Sequence, residues 1–383
     1  APAGPLTIAA VTGGNAARGK ELVLEYQCNR CHDDTGHEPM ARDLHCVHCH
    51  QAILADEFPA SAAALARWKK TVDPFQVAPS LDATAERLRG DWLLDFLQKP
   101  HDLRPNLQPS MPRLALSPAD ARDFVAYLTR GETASVPPGL ARADWKQGRQ
   151  LLETRGCGSC HLFSTVAPLA TRPSLQAGST ANRGIMLAPD LAFVRQRFRP
   201  DKLVAWLVDP LRVKPTTLMP ATGLSQAEAE HVAAYLLFAP RSEPKLDPAK
   251  PRLPKLERPV TYAEVDQKVF RVTCRHCHSN PDIQLGEGGP GNTGGFGFPA
   301  KGLNLSSYAA INSGHKGPDG ERQSVFAPLT DGTPRLLAAV LARQAEERGE
   351  VNPAVRGMPL GLPSLSSEQV QLLETWIAQG RPR

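Results

Sequence analysis

Eight cysteines and four histidines form the most specific chemical pattern of the chain. Each pair of cysteines is separated by two residues and followed at once by histidine, and every cysteine belongs to such a unit. The four units are Cys28-Cys31-His32, Cys46-Cys49-His50, Cys157-Cys160-His161 and Cys274-Cys277-His278. Two thiols on one turn are placed to add to the two vinyl groups of one porphyrin, and the next imidazole is placed beneath its iron. The pattern predicts four covalently bound haem c groups, with proximal ligands His32, His50, His161 and His278.

Two other uses of the cysteines compete with haem attachment. Eight cysteines in an exported chain are compatible with four disulfides. The spacing between the Cys28 and Cys46 pairs also nearly matches a four-cysteine zinc site. Neither chemistry explains a histidine after every pair, and the pairs that begin at Cys157 and Cys274 have no second pair nearby. We therefore favour haem attachment at all four units.

The composition is that of a globular protein with long loops. Hydrophobic residues make up 41% but aromatic residues only 6%, so porphyrin faces would supply large apolar planes to the core. The formal net charge is +5, and each ferric haem with its propionates would bring about −1. Because the basic residues are not clustered, we interpret their excess as compensation for haem carboxylates, not as a nucleic-acid site. No run of about eighteen apolar residues occurs, so we expect no membrane span.

The chain repeats one order of motifs. A segment that begins at Gly19 precedes the first cysteine unit, and a similar segment that begins at Gly148 precedes the third. Downstream, Ala78-Pro79-Ser80-Leu81 matches Ala188-Pro189-Asp190-Leu191. Three Met-Pro pairs follow, and a serine with a helix-capping pattern comes after each pair, at Ser117, Ser225 and Ser366. The repeats predict similar helical units.

This order of helix, Cys-x-x-Cys-His, loop, helix, Met-Pro loop and closing helix resembles the class I cytochrome c domain. The third copy, with a longer loop, is similar to planctomycete-type cytochrome c domains. The resemblance implies a mainly α fold of three consecutive helical domains with long loops. We expect a dihaem domain at 1–135, a monohaem domain at 136–240, a proline-rich linker at 241–261 and a monohaem domain at 262–383. Six prolines from Pro240 to Pro259 favour a semi-rigid strap.

Three of the five methionines precede proline, at Met111, Met219 and Met358. Proline pushes the residue before it into extended geometry, which suits a loop that holds sulfur over iron. By the resemblance, these methionines are the distal ligands of the haems on Cys28-Cys31, Cys157-Cys160 and Cys274-Cys277 respectively. His315 is the rival of Met358, while Met40 and Met186 are interpreted as packing or loop residues.

The haem on Cys46 and Cys49 has no Met-Pro loop of its own. Its distal ligand could be His37, His45, His101 or Met40, or the site could be open. We select His37, which lies in a loop beside Gly36 and is free to fold over the ring. A haem with two histidine ligands would have a lower potential than its methionine-ligated neighbours.

The pattern favours an electron carrier over an enzyme, because six-coordinate haems leave no position for a substrate. The expected partners are a small cytochrome, a cupredoxin, or a membrane respiratory or photosynthetic complex of which the chain could be a subunit. The alternative is a peroxidase or sulfur-compound oxidase with a catalytic second haem. The tetrahaem reaction-centre subunit is disfavoured, because its ligand methionines precede the attachment motifs. The small residues Ala1-Pro2-Ala3-Gly4 resemble those after a signal-peptidase cut, so we expect a periplasmic or extracellular protein.

Overall fold

The structure is a computed structural model, and it is mainly helical. It describes residues 6–42, 44–70, 72, 77–101, 103–107, 111–175, 182–242, 249–275, 277–279, 302–317 and 319–383. The helices fall into three groups along the chain, and the predicted α class is confirmed. The predicted domain boundaries stay a prediction. Among the described helices, none combines the length and apolar character that a membrane crossing requires.

The first group contains five helices, of which the first and last pack against each other. They are α1 (Ala16–Glu25), α2 (Cys46–Leu54), α3 (Ala62–Trp68), α4 (Gly90–Gln98) and α5 (Pro118–Leu128). The Asn15 side chain caps α1 by accepting from the amide of Arg18, and Ser117 caps α5 in the same way through Asp120. The apolar face of α1 buries Leu22 and Val23 against Phe124 of α5.

The second group repeats this arrangement, with its first long helix packed against its last. It comprises α6 (Trp145–Thr154), α7 (Asn182–Leu187), α8 (Val194–Arg197), α9 (Pro200–Val208), α10 (Pro210–Val213) and α11 (Gln226–Phe238). Ser225 and Glu228 form a reciprocal capping box at the start of α11. This helix is buried on most sides, because α6 and α9 both pack against it.

The third group adds a short hairpin and a π-helical segment. Its elements are α12 (Tyr262–Val265), the π-helix Asp266–Cys274, α13 (Tyr308–Asn312), β1 (His315–Lys316), β2 (Arg322–Gln323), α14 (Arg335–Glu346) and α15 (Ser367–Ala378). The two strands are antiparallel, with His315 opposite Gln323. Trp376 of α15 and Phe270 of the π-helix are fully buried and contact each other edge to face.

A glycine permits the close crossing of the first and last helices in both of the first two groups. A Cβ atom at Gly19 would collide with the carbonyl oxygen of Asp123, and one at Gly148 would collide with that of His231. Backbone oxygen cannot swing aside as a flexible side chain can. The same close contact between the first and last helices explains why glycine recurs at equivalent positions of the repeat.

Replacement of Gly19 by alanine should destabilise the protein. Overpacking at a backbone contact costs about 3 kcal/mol, which exceeds the roughly 1 kcal/mol that alanine contributes over glycine inside a helix. Denaturant unfolding would measure the difference. Gly139→Ala is the matched control, because nothing lies within 4 Å of its added Cβ, and we expect a change within about 0.5 kcal/mol. Equal effects of the two substitutions would contradict this account.

The first and second groups meet through two equivalent segments. Leu88 and Phe198 form an antiparallel bridge, and hydrogen bonds on either side of it are reciprocal. The amide of Arg89 donates to the carbonyl of Arg197 (2.9 Å), and the amide of Arg199 donates to that of Arg87 (2.8 Å). The contact therefore has approximate two-fold symmetry.

The described part of the proline-rich linker lies along α15. The amide of Leu256 donates to the Thr375 hydroxyl (3.0 Å), and the amide of Val260 donates to the side chain of Gln379 (2.9 Å). The Gln379 side chain also donates to the carbonyl of Arg258 (2.9 Å). Polar side chains at α15 thus form hydrogen bonds with the backbone groups of a segment in which prolines remove some of the backbone donors.

Candidate haem-attachment sites

The first and third cysteine units form the same local structure. In each, a residue with positive φ ends a helix (Gln27 at 51°, Gly156 at 70°), and a 3₁₀ turn then carries the two cysteines. The amide of His32 donates to the carbonyl of Cys28 (2.9 Å), and the amide of His161 donates to that of Cys157 (3.0 Å). The turn therefore holds two thiols and the following imidazole close together, as covalent haem attachment requires.

The imidazoles of His32 and His161 are each oriented by a proline carbonyl. Nδ1 of His32 lies 2.7 Å from the carbonyl oxygen of Pro79, and Nδ1 of His161 lies 2.8 Å from that of Pro189. A carbonyl only accepts, so Nδ1 carries the proton and Nε2 retains its lone pair. Burial lowers the pKa of both histidines, which keeps them neutral. A neutral imidazole held by its other nitrogen is how proteins present a metal ligand.

Both predicted iron ligands of the first haem line one cavity. Its wall includes Cys28, Cys31 and His32 of the first cysteine unit, and also Met111. The cavity encloses about 1750 Å³ with its open mouth included, and its other walls are largely apolar, among them Trp92. The structure thus brings together two predicted ligands that lie 79 positions apart in sequence.

Four arginines (Arg87, Arg104, Arg197 and Arg343) line this cavity, together with Glu346 and Glu347. Burial, together with the charges of Arg87 and Arg104, lowers the pKa of Arg197 to about 9. Nε of Arg197 is buried and has no hydrogen-bond acceptor among the described residues. A buried guanidinium is unfavourable without an anion to pair with it. A haem propionate would supply that anion to Arg197, so the cavity fits a haem in charge as well as in shape.

The second group offers a similar set of residues. Cys157 and Met219 pack against the same buried core, which includes Phe163 and Leu203. The amide of Met219 donates to the hydroxyl of Thr217 (3.2 Å), which fixes the backbone at the predicted ligand. The residues fit a haem at the third cysteine unit, with one histidine and one methionine ligand.

The histidine of the fourth unit lacks the carbonyl contact that orients His32 and His161. The amide of His278 donates to the carbonyl of Cys274 (3.0 Å), but Nδ1 of His278 has no hydrogen-bond partner among the described residues. Burial lowers the pKa of His278 to about 4 and raises that of the Cys274 thiol to about 12. Met358 is anchored by its amide to the carbonyl of Ala339 (2.9 Å). The rival ligand His315 lies in β1, and the choice between it and Met358 stays a prediction.

The second unit lies on a helix, unlike the first and third. Cys46 begins α2, where the side chain of His45 caps the helix, and His50 is buried within it. Nε2 of His37, the predicted distal ligand, lies 2.7 Å from the carbonyl of Lys20 on α1. That contact engages one of its two nitrogens, and the assignment of His37 stays a prediction.

The other candidates for the second haem are distributed over two places. Met40 lines a small cavity beside α2 together with His48 and Gln51. His101 lines the first cavity, where its ring lies between Phe96 and Phe193. Of these two, only Met40 is next to the second unit.

The cysteine geometry does not favour the two alternative chemistries. All eight cysteines are free. Cys31 and Cys46 contact each other through their thiols. Within the described part of the chain, which includes the first two cysteine pairs, the only cluster of metal-ligating atoms contains no cysteine.

That cluster consists of Asp33, His45 and His48, whose ligand atoms lie within 4.8 Å of one another. Nδ1 of His45 accepts from the amide of His48 (3.2 Å), so the proton of neutral His45 is on Nε2. Nε2 of His45 lies 3.6 Å from the carboxylate of Asp33. Because a protonated nitrogen cannot bind a metal, we interpret the cluster as an electrostatic contact around Asp33.

Comparisons with known proteins add no family assignment. No protein-family model, curated protein or solved structure matches this chain. The residues themselves therefore carry the functional argument.

Sequence reasoning missed the supports of the iron ligands. The sequence matches Pro79 to Pro189, but the match alone does not indicate that their carbonyls contact the histidines. The signal was present, because both prolines follow their histidines within a few tens of residues at equivalent places. The arginines of the first cavity had no comparable signal, since Arg87 and Arg197 come from different repeats.

Proposed function

We propose that this protein is an exported tetrahaem cytochrome that carries electrons between redox proteins. One observation carries the proposal: His32, with Nε2 unprotonated, and Met111 line one apolar cavity together with Cys28 and Cys31. An imidazole and a thioether that line the same cavity suit a six-coordinate iron that exchanges electrons and binds no substrate.

Haem, when bound, supplies a one-electron iron couple. The chain would supply the rest: the thiols would tether the group, the carbonyl of Pro79 orients His32, and the arginines would balance the propionates. The apolar walls would keep water away from the group, as a carrier with little rearrangement requires. These contributions are what an electron carrier requires.

Contacts between attachment sites support a relay. The thiols of Cys31 and Cys46 touch, so haems attached there would be neighbours. The first cavity also borders the second group of helices, because Arg197 forms part of its wall. An electron could therefore pass from the second group through the first haem to the second haem.

The proposed partners are a small cytochrome, a cupredoxin, or a membrane respiratory or photosynthetic complex, and the proposed location is the periplasm or the cell exterior. Covalent attachment suits either location, because the thioether bonds prevent loss of haem outside the cytoplasm.

A spectroelectrochemical titration of the purified protein tests the proposal. Three components at high potential and one at low potential are expected, because methionine raises the potential relative to a second histidine. Four components at low potential would contradict the methionine assignments, and fewer than four components would contradict the tetrahaem proposal itself.

A haem enzyme is the second candidate, because the cavity lined by Met40, His48 and Gln51 lies beside the second attachment helix. A displaceable distal ligand there would allow peroxide reduction or oxidation of a sulfur compound. Carbon monoxide added to the reduced protein separates the two functions. Uptake of about one equivalent favours catalysis at the second haem, and no uptake favours a carrier.

A further inference from the structure

The carboxylate of Glu346 joins two distant loops of the chain. Glu346 is the last residue of α14, and its side chain is only 3% exposed. Its Oε1 accepts a hydrogen bond from Nε of Arg113 (2.8 Å) and another from the amide of Gly357 (2.9 Å). Both donors are next to predicted distal ligands: Arg113 is two residues after Met111, and Gly357 immediately precedes Met358.

Arg113 strengthens the same connection from the other side. Its Nη2 donates to the carbonyls of Asn352 and Val355 (both 3.3 Å), in the segment that leads to Met358. Glu346 also lines the first cavity, together with Met111. The Met111 loop is thus held by residues more than two hundred positions away, at the wall of the cavity that it serves.

The pair is costly to break. Without Arg113, the cation contact that remains is with Arg343, whose Nη1 lies 3.7 Å from Oε2, so the buried carboxylate is less well compensated away from water. Charge-assisted hydrogen bonds to Oε1 are also stronger and more directional than neutral ones. Glu346 therefore fixes the two loops in a single arrangement.

We propose that Glu346 is a shared positioning residue that holds Met111 and Met358 over their irons, so that the first and fourth haems depend on one carboxylate. This inference rests on the proposed function. It assigns to the third group of helices a role in the ligation of a haem attached to the first group.

The Met219 loop provides an internal comparison. Two residues after Met219 this loop has Ala221, whereas the first loop has Arg113 two residues after Met111. Its supports are within the second group: Thr217 accepts from the amide of Met219, and the Thr222 hydroxyl donates to the carbonyl of Leu207. Loss of Glu346 should leave this loop in place.

The test counts iron-bound methionines in the full-length holoprotein. In the reduced state, the methyl group of each bound methionine gives a separate, strongly upfield proton NMR signal, and the wild type should show three. Glu346→Ala should lose or broaden two of them, and two components of the redox titration should move to lower potential. Intact mass and far-UV circular dichroism establish that the haems and helices are retained.

Two further variants test the Arg113 contact separately and provide a control. Arg113→Leu should affect the Met111 signal more than the Met358 signal, because the amide of Gly357 still donates to Glu346 while the bonds of Arg113 to Asn352 and Val355 are lost. Thr217→Val is the matched control in the second group, and it should affect only the Met219 signal.

The outcomes distinguish this inference from the function on which it rests. Three retained signals in Glu346→Ala, or loss of only one, would overturn the shared role while the wild-type signals still support the function. If Glu346→Ala does not fold, three unchanged signals in Arg113→Leu would overturn it. A wild type without upfield methyl signals would instead contradict the methionine assignments.

Discussion

Replacement of both Cys46 and Cys49 by serine should remove one of four porphyrins from the mature protein and abolish its low-potential component alone. The serine hydroxyls cannot form thioether bonds, and His50 alone would not retain the group. Intact-mass spectrometry counts the porphyrins, and a redox titration counts the components. The three high-potential components should persist, because their predicted ligands come from other parts of the chain.

The matched control is the equivalent double substitution of Cys157 and Cys160. It should also remove one porphyrin, but the component that disappears should have a high potential. If loss of the second unit removes a high-potential component, the ligand scheme is wrong for that haem. A mass that falls only by the two substitutions, with no porphyrin lost, would exclude covalent attachment at that unit and reopen zinc or disulfide chemistry.

Replacement of Met111 by histidine should lower the potential of one haem by on the order of 0.1–0.3 V, within the roughly 0.8 V range that axial ligands span. Imidazole stabilises ferric iron more than a thioether does, while the iron stays six-coordinate. The redox titration should therefore shift one component without loss of any porphyrin.

Met186→His serves as the control, because Met186 lies on α7 and was assigned to packing. It should leave all four potentials close to their wild-type values. A comparable shift in both variants would indicate a general electrostatic effect of the new histidine, and no shift in Met111→His would remove Met111 as a ligand.

The features that local sequence specifies were predictable. The serines at 117, 225 and 366 cap α5, α11 and α15 as predicted, because a capping side chain bonds to amides only a few residues away. The α class and the proximity of Met111 to the first cysteine unit were implied by the resemblance to class I cytochrome c domains, and the structure has both.

Contacts between distant segments were not predictable. Nothing in the sequence indicates that Glu346 accepts from Arg113, since 233 positions separate the two residues. The π-helix Asp266–Cys274 was also missed, because helical periodicity alone does not reveal one additional residue per turn. The second cysteine unit is the least determined for the same reason: it lacks a repeat equivalent, and its surroundings depend on contacts such as that of His37 with Lys20.

The symmetric contact between the first two groups has a consequence for how the molecule was assembled. A surface that meets its own repeat equivalent is self-complementary, as in a two-fold dimer, and such a contact closes on itself. The bridge between Leu88 and Phe198 therefore leaves no matching surface for another copy. A third unit had to attach through different chemistry, and it does so with a buried ion pair between Arg113 and Glu346. Two units thus form a closed pair by symmetry, and the third is an asymmetric addition.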